Sequence, residues 1–215
     1  MNRTASDTGA NINPRIAGKK KNFENASIDS TAKERHTMTE STKHSGPLSG
    51  VKVLDLSMVV SGPLCTMMLG DQGADVIKVE SPGMGDPLRF FGALRNGFSS
   101  GFIATNRSKR SIVLDLQSVG GKEVLNDLVQ WADVLVENFR PGVMAKFGFD
   151  YETCRDLNPE LIYTSINGFG DEGPHVERRV YDYVIQGITG MAAAQADPVT
   201  GEPELVRTLI FDKVT

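Results

Sequence analysis

Several things are scarce in this sequence, and each absence removes a class of function. The chain has only two cysteines, Cys65 and Cys154. They stand far apart, match no C-x-x-C spacing and cannot build a disulfide framework. Histidine is almost as rare: His36, His44 and His175 offer no set with metal-ligand spacing, so no metal site is expected. There is no excess of positive charge, because 23 Lys and Arg face 27 Asp and Glu for a net charge of −4. A nucleic-acid partner, which needs a basic field, is therefore not expected. No apolar run reaches the ~18 residues of a membrane-spanning helix, so no membrane association is expected. Neither a Walker A run nor a G-x-S-x-G elbow occurs. What remains is a chain of 215 residues that is 40% hydrophobic. That is enough for one large domain or two small ones, soluble and intracellular.

The average conceals a boundary. Residues 1–46 carry eight Lys or Arg against five acids, a net +3 that leaves −7 for the other 169 residues. This segment is rich in Ser, Thr, Asn and Lys, and its few apolar residues keep no helical or strand period. It reads as a disordered tail that cannot bury enough surface to offset its ordering entropy. A mitochondrial transit peptide is the alternative, which its basic and Ser content favours and its five acids oppose. The expected location is cytoplasmic, or mitochondrial if the tail is such a peptide.

From residue 47 to residue 215 the pattern is that of a folded body. Val51–Ser57 (VKVLDLS) is a short β-branched run and predicts a strand. Pro63 suits a first helical turn, and Leu64–Gln72 reads as a helix stopped at Gly73. Ala74–Glu80 predicts the next strand. Gly121–Ala132 places apolar residues on one helical face, and Asp133–Glu137 follows as a strand. Asp150 is placed to cap a helix running to Leu157, and Leu161–Ile166 predicts a further strand. Val176–Tyr183 shows no clear packed face. Strands alternating with helices imply βαβ units, hence an α/β fold with a parallel sheet covered by helices on both faces.

Parallel sheets of this kind hold ligands in the loops at the carboxyl ends of their strands. Those loops are long and rich in Gly and Pro. One contains G-x-G-x-x-G at Gly168, Gly170 and Gly173, but Pro174-His175 stands where a dinucleotide fingerprint needs a helix to open. A turn that uses glycine for its backbone angles is the better reading. Cys65 and Cys154 sit in helical patterns and read as core. Lys109-Arg110, near Arg107, reads as a solvated turn, with contact to an anionic ligand as the alternative. Asp212 ends the apolar run Thr208–Phe211; at the carboxyl end of a buried strand it would project into a site, but on sequence alone it reads as a solvated or capping acid. Asp182, between Tyr181 and Tyr183, reads as a solvated or capping acid.

Taken together, the loops resemble those of the family III CoA-transferases, the group that includes formyl-CoA transferase, carnitine CoA-transferases and α-methylacyl-CoA racemase. The resemblance rests on PLSGVKVLDLSMVVSGP, LGDQGADVIKVESPGMGDPLR, NRSKRSIVLDL, ADVLVENFRPGVMAKFGFDYE, LNPELIYTSINGFGDEGP and VYDYVIQGITGM, in the family's order and spacing. It implies a Rossmann-like large domain with coenzyme A or acyl-CoA as substrate and no permanently bound cofactor. By position, Asp212 matches the catalytic aspartate. Val60 and Ser61 match residues that line the thioester and CoA. Leu114, Asp115, Leu116 and Gln117, with Asn138, Phe139 and Arg140, match segments that hold the nucleotide part of CoA. Lys146 and Arg179 match basic positions near its phosphates. Val180, Tyr181 and Asp182 complete that CoA-contacting segment. Ser81 stands where the transferases often carry Arg, so one phosphate contact is expected to be missing or supplied elsewhere.

The same resemblance implies a reaction. Asp212 would form a mixed anhydride and then a thioester with CoA, moving CoA from an acyl-CoA donor to a free carboxylic acid. Racemisation would instead require two proton carriers. The family's racemases carry His before the residue matching Asp182. Here that residue is Tyr181, and a phenol loses its proton only near pH ~10, which favours transfer. Members of the family are longer than this chain. They continue into a second domain, absent here, and pair as interlocked homodimers. The expectation is therefore a fragment or truncated product, with an inactive CoA-binding remnant as the alternative to an enzyme. A 215-residue form alone is expected to show no transferase activity.

Overall fold

A computed structural model describes residues 45–214. The segment read as a tail falls outside the described residues except for its last two positions.

Five strands form one parallel sheet. They are β1 (Lys52–Asp55), β2 (Asp75–Glu80), β5 (Lys109–Val113), β6 (Val134–Glu137) and β7 (Ile162–Ser165), in the spatial order β5-β2-β1-β6-β7. A two-stranded ribbon, β3 (Leu94–Arg95) and β4 (Phe98–Ser99), lies apart from it. The helices are α1 (Ser61–Asp71), α2 (Ser100–Asn106), α3 (Val119–Trp131), α4 (Val143–Phe147), α5 (Tyr151–Leu157), α6 (Asp182–Ile188), α7 (Met191–Ala194) and α8 (Phe211–Val214). The expected α/β class with a parallel sheet flanked by helices is what the structure has.

Side-chain alternation along the strands explains why both faces need cover. In β1, Val53 and Leu54 are both fully buried but point to opposite sides. Val53 joins Val76, Ala74 and Val136 in a core that also takes in Leu69 of α1. Leu54 joins Leu125 and Val129 of α3, Leu135, Met144, Phe149 and Cys154 in a second core. Each fully buried Leu or Val contributes about 1.5–3 kcal/mol relative to exposure. Local signals start the helices as the sequence suggests. Asp150 accepts a hydrogen bond from Thr153 N (2.9 Å), and Ser118 accepts one from Gly121 N (3.0 Å).

Two sequence expectations are corrected. Thr208–Phe211 does not form a strand. Its backbone is held by side chains rather than by a sheet: Gln186 Nε2 donates to Thr208 O (3.1 Å), and Phe211 N donates to Asp182 Oδ1 (2.6 Å). Asp212 accordingly sits in the first turn of the short helix α8. Lys109-Arg110 is not a solvated turn either. Both lie in β5, whose alternation sends them to opposite faces. Arg110 pairs at the surface with Asp75, whereas the Lys109 side chain is buried on Asp55 (2.9 Å).

Candidate functional site

The strand order places a topological switch point between β1 and β6. From there the chain winds outward through β2 and β5 on one side and through β7 on the other. The loops leaving β1 and β6 must therefore part and leave a crevice at the carboxyl edge. A cleft of about 660 Å³ occupies that place. Its walls come from Met58–Ser61 after β1, from Asn138–Pro141 after β6, from Ile166–Phe169 after β7, from the 176–182 stretch, and from Phe211 and Asp212. A second cleft of about 420 Å³ adjoins it, with Leu114–Gln117, Ser81, Lys78, Glu80 and Asp86 in its lining. Met58, Phe139 and Val143 line both.

The two central loops are tied together. Asn138 Oδ1 accepts from Met58 N, and Asn138 Nδ2 donates to Met58 O, both at 2.8 Å. Gly62, in the first turn of α1, lets that helix approach the strand end. A Cβ there would lie 2.2 Å from Ser57 Cβ. Gly168 has the same role across the cleft, since a Cβ would lie 2.5 Å from the Val180 methyl carbons. Gly170 and Gly173 take φ angles of +76° and +103°. The G-x-G-x-x-G stretch therefore works as a turn, and no helix opens on it before Asp182.

Two carboxylates, Asp182 and Asp212, stand on one wall. Asp182 is 3% exposed, so of the two sequence readings, solvated or capping acid, the structure has the capping one. Its Oδ1 accepts from Phe211 N (2.6 Å) and Asp212 N (3.1 Å), and its Oδ2 accepts from Gln186 Nε2 (2.5 Å). It caps α8 across a gap of thirty residues and fixes the backbone of Asp212. Burial, reinforced by the neighbouring Asp182 charge, pushes the Asp212 carboxyl above its ordinary value. Arg140, Arg178 and Arg179 line the same cleft and supply positive charge to its rim.

Beneath the two clefts lies a buried charged layer. Asp55 accepts from Ser57 N (2.9 Å) and Ser57 Oγ, from Thr66 Oγ1 (2.7 Å) and from Lys109 Nζ (2.9 Å). Burial acts to raise its carboxyl, but Lys78, Lys109 and these hydrogen bonds hold it below the ordinary value. Burial lowers Lys109 to about 8, against the pull of Asp55. Lys78 Nζ reaches Asp86 (3.0 Å) and Ser57 O (2.7 Å). Glu80 accepts from Arg89 Nε and Arg89 Nη2, both at 2.6 Å, and from Ser111 Oγ (2.6 Å).

The positions singled out in the sequence gather as follows. Val60, Ser61, Asn138, Phe139, Arg140, Arg179, Val180, Tyr181, Asp182 and Asp212 all line the larger cleft. Leu114, Asp115, Leu116 and Gln117 line the smaller one, beside Ser81. Lys146 lies in the last turn of α4, exposed, and lines neither. Met58, Val59, Arg178, Ile185 and Phe211 line the larger cleft without having been singled out. Nor were Asp55, Lys78 and Asp86. For Asp55 and Lys78 the signal was charge at inward-facing strand positions, visible once Val53/Asp55 and Val76/Lys78/Glu80 are read with period two, whereas Asp86 lies in the loop after β2. Among the described residues no group of three or more His, Cys, Asp and Glu side chains is placed to hold a metal ion.

The profile of the CoA-transferase family III matches residues 48–215. The chain is similar to a succinate–glutarate CoA-transferase of Agrobacterium fabrum, 45% identical over 174 residues that cover 78% of this chain and 42% of the relative. It is also similar to a formyl-CoA:oxalate CoA-transferase of Rhodopseudomonas palustris, 46% identical over 171 residues that cover 78% of this chain and 39% of that protein. Among solved structures, a CAIB/BAIF family protein from Brucella suis superposes with a TM-score of 0.73 at 43% identity, over 78% of this chain and 45% of that one. The chain thus spans less than half the length of these relatives.

Proposed function

This chain belongs to the CoA-transferase family III, and on that premise we propose that the protein moves coenzyme A from an acyl-CoA donor to a free carboxylic acid, with Asp212 as nucleophile. The observation that carries the reading is the cleft at the β1/β6 switch point, where Asp212, with its carboxyl pushed up by burial, faces the same space as the loops after three strands. Short dicarboxylic acids are the proposed exchange partners, since relatives are named for succinate, glutarate and oxalate.

The steps balance without an external proton. The Asp212 carboxylate attacks the donor thioester carbonyl. The C–S bond breaks, CoA leaves as thiolate, and a mixed anhydride remains. The thiolate then attacks the aspartyl carbonyl, the anhydride C–O bond breaks, and the donor acid leaves as carboxylate. Asp212 now carries CoA as a thioester. The acceptor carboxylate attacks that thioester and displaces the thiolate, which attacks the acceptor carbonyl of the second anhydride. New acyl-CoA and free Asp212 result. A desolvated carboxylate is the better nucleophile, and exclusion of water protects both anhydrides from hydrolysis. Arg140, Arg178 and Arg179 offer charge for phosphate or carboxylate groups of the substrates. Asn138, Phe139, Val60, Ser61, Val180 and Tyr181 line the proposed path of CoA, with Leu114–Gln117 at its nucleotide end.

In this reading the protein works in an aqueous compartment, cytosolic or mitochondrial, as an interlocked pair of full-length subunits. No helix among the described residues is long and apolar enough to cross a membrane. The test is exchange between labelled free acids and acyl-CoA in the full-length protein, with Asp212→Ala alongside. Exchange that survives the substitution overturns the assignment. Enzyme-dependent uptake of solvent deuterium at the α-carbon of a 2-methylacyl-CoA would favour the racemase reading instead.

A further inference from the structure

The loop between β1 and α1 adopts a conformation that its sequence disfavours. Val59 has a φ of +69°, a region that β-branched residues rarely occupy. No glycine stands there to relieve it. Instead, consecutive backbone groups of the loop are each held by a side chain from elsewhere. At Ser57, N–H donates to Asp55 of β1 (2.9 Å) and C=O accepts from Lys78 of β2 (2.7 Å). Both backbone groups of Met58 bond to Asn138. The N–H of Val59 donates to Asp86, 3.1 Å from one oxygen and 3.3 Å from the other.

The groups doing this are anchored to one another. Lys78 Nζ lies 3.0 Å from Asp86 and 4.0 Å from Asp55, and Lys109 Nζ lies 2.9 Å from Asp55. All four side chains are at most 2% exposed. Two acids and two bases make the layer electrically balanced. A buried charged set is a poor device for stability alone, because apolar groups of similar volume often serve as well. What the charged set provides here is donors and acceptors for the loop backbone, and Asp86 also caps the 87–90 turn by accepting from Leu88 N (2.8 Å). A strained residue persists only where its surroundings over-determine it, and this one forms part of the wall of the larger cleft.

We propose that Lys78 and Asp86 are positioning residues that hold Val59 in its left-handed conformation and so set the Met58–Ser61 wall of the cleft. Only the consequence for catalysis rests on the transferase reading; the hold on the loop stands apart from it.

The test compares two neutralised pairs in the full-length protein, followed by hydrogen–deuterium exchange. Lys78→Met/Asp86→Asn keeps an acceptor for Val59 N. Lys78→Met/Asp86→Ala removes it. The expected result is that amides 57–61 exchange at least tenfold faster in the Ala pair than in the Asn pair, while β1, β2 and β6 keep their protection in both. Equal exchange of the loop in the two pairs overturns the proposal, as does loss of protection throughout the sheet in the Asn pair. Should the Ala pair fail to fold, a second comparison decides. Val59→Gly is expected to melt above Val59→Ala, the reverse of the order at an ordinary position, and Ala melting higher overturns the proposal. In the exchange assay the Ala pair is expected to lose at least tenfold in kcat with less than threefold change in KM for acyl-CoA. An unchanged kcat would overturn the link to catalysis. Absence of exchange in the unsubstituted protein would count against the transferase reading alone.

Discussion

Asn138 and Met58 are separated by eighty residues and joined by two reciprocal hydrogen bonds of 2.8 Å, one through each polar atom of the Asn138 amide. The side chain imitates a neighbouring strand. It satisfies a backbone N–H and a backbone C=O at the point where β1 and β6 have stopped pairing. The crevice at the switch point can therefore open without leaving those groups unmet.

Replacing that amide is the most direct check on the crevice. Asn138→Ala removes both bonds and is expected to lower stability by about 1–3 kcal/mol, the usual cost of part-buried groups left unpaired. Asn138→Asp keeps the acceptor and loses the donor, so it should fall between the two. Urea denaturation of the three proteins gives the ranking.

Asp212→Ala is expected to reduce CoA exchange by at least about 10⁴-fold, as removal of a covalent nucleophile does. Asp182→Asn is expected to act through proton affinity. Burial and the Asp182 charge raise the Asp212 carboxyl, so the acid limb of the rate profile should lie above the value of an ordinary aspartate. Neutralising Asp182 should move that limb to lower pH, which a pH–rate profile of exchange reads directly.

Lys109→Met keeps the volume of the side chain and removes the charge. It leaves Asp55, fully buried, with Lys78 as its remaining cation at 4.0 Å. A loss of about 3–5 kcal/mol is expected, as for one partner removed from a buried ion pair. Arg110→Met, one residue on, breaks only a surface pair with Asp75 and should cost about 1 kcal/mol or less. Thermal melts of the two variants should differ accordingly.

Glu80 sets an acid-stability window. Burial would raise its carboxyl, but Arg89, Ser111 and Asp86 N hold it from 4.5 down to about 2. A carboxylate with a depressed folded value adds stability above its unfolded value and loses it as pH falls. Melting temperature should therefore drop as pH falls from about 4.5 towards 2, through Glu80 among other groups. In Arg89→Met the Glu80 carboxyl is held down less, so the Glu80 part of that loss should be smaller.

How much of this was legible beforehand depends on whether local pattern or distant partners decide each residue. The β1, β2, β6 and β7 strands and the α3 and α5 helices followed from periodicity and caps, because short-range preference and burial agree there. Asp150 is an example: its cap bond to Thr153 is local. Thr208–Phe211 misled because β-branched and apolar content resembles a strand, whereas its backbone partners are Gln186 and Asp182, more than twenty residues away. Lys109 misled because adjacency in sequence suggested a basic cluster, while strand alternation separates it from Arg110. Asp182 reads from its neighbours as a solvated or capping acid; it does cap, but only the return of the chain at Phe211 explains its burial. Lys146, placed among the site residues by resemblance, lies outside both clefts.

The crevice also has a folding history. Its two walls hang from β1 and β6, whose register pairs Val53 with Val134. Parallel partners cannot be joined by a tight turn, and here β2, β5 and three helices intervene before β6 is reached. Contacts of such long sequence separation are slow to form, because loop closure must precede them. The pocket is thus expected to form late in folding, and protection of the Met58 amide should appear only once β6 has joined the sheet.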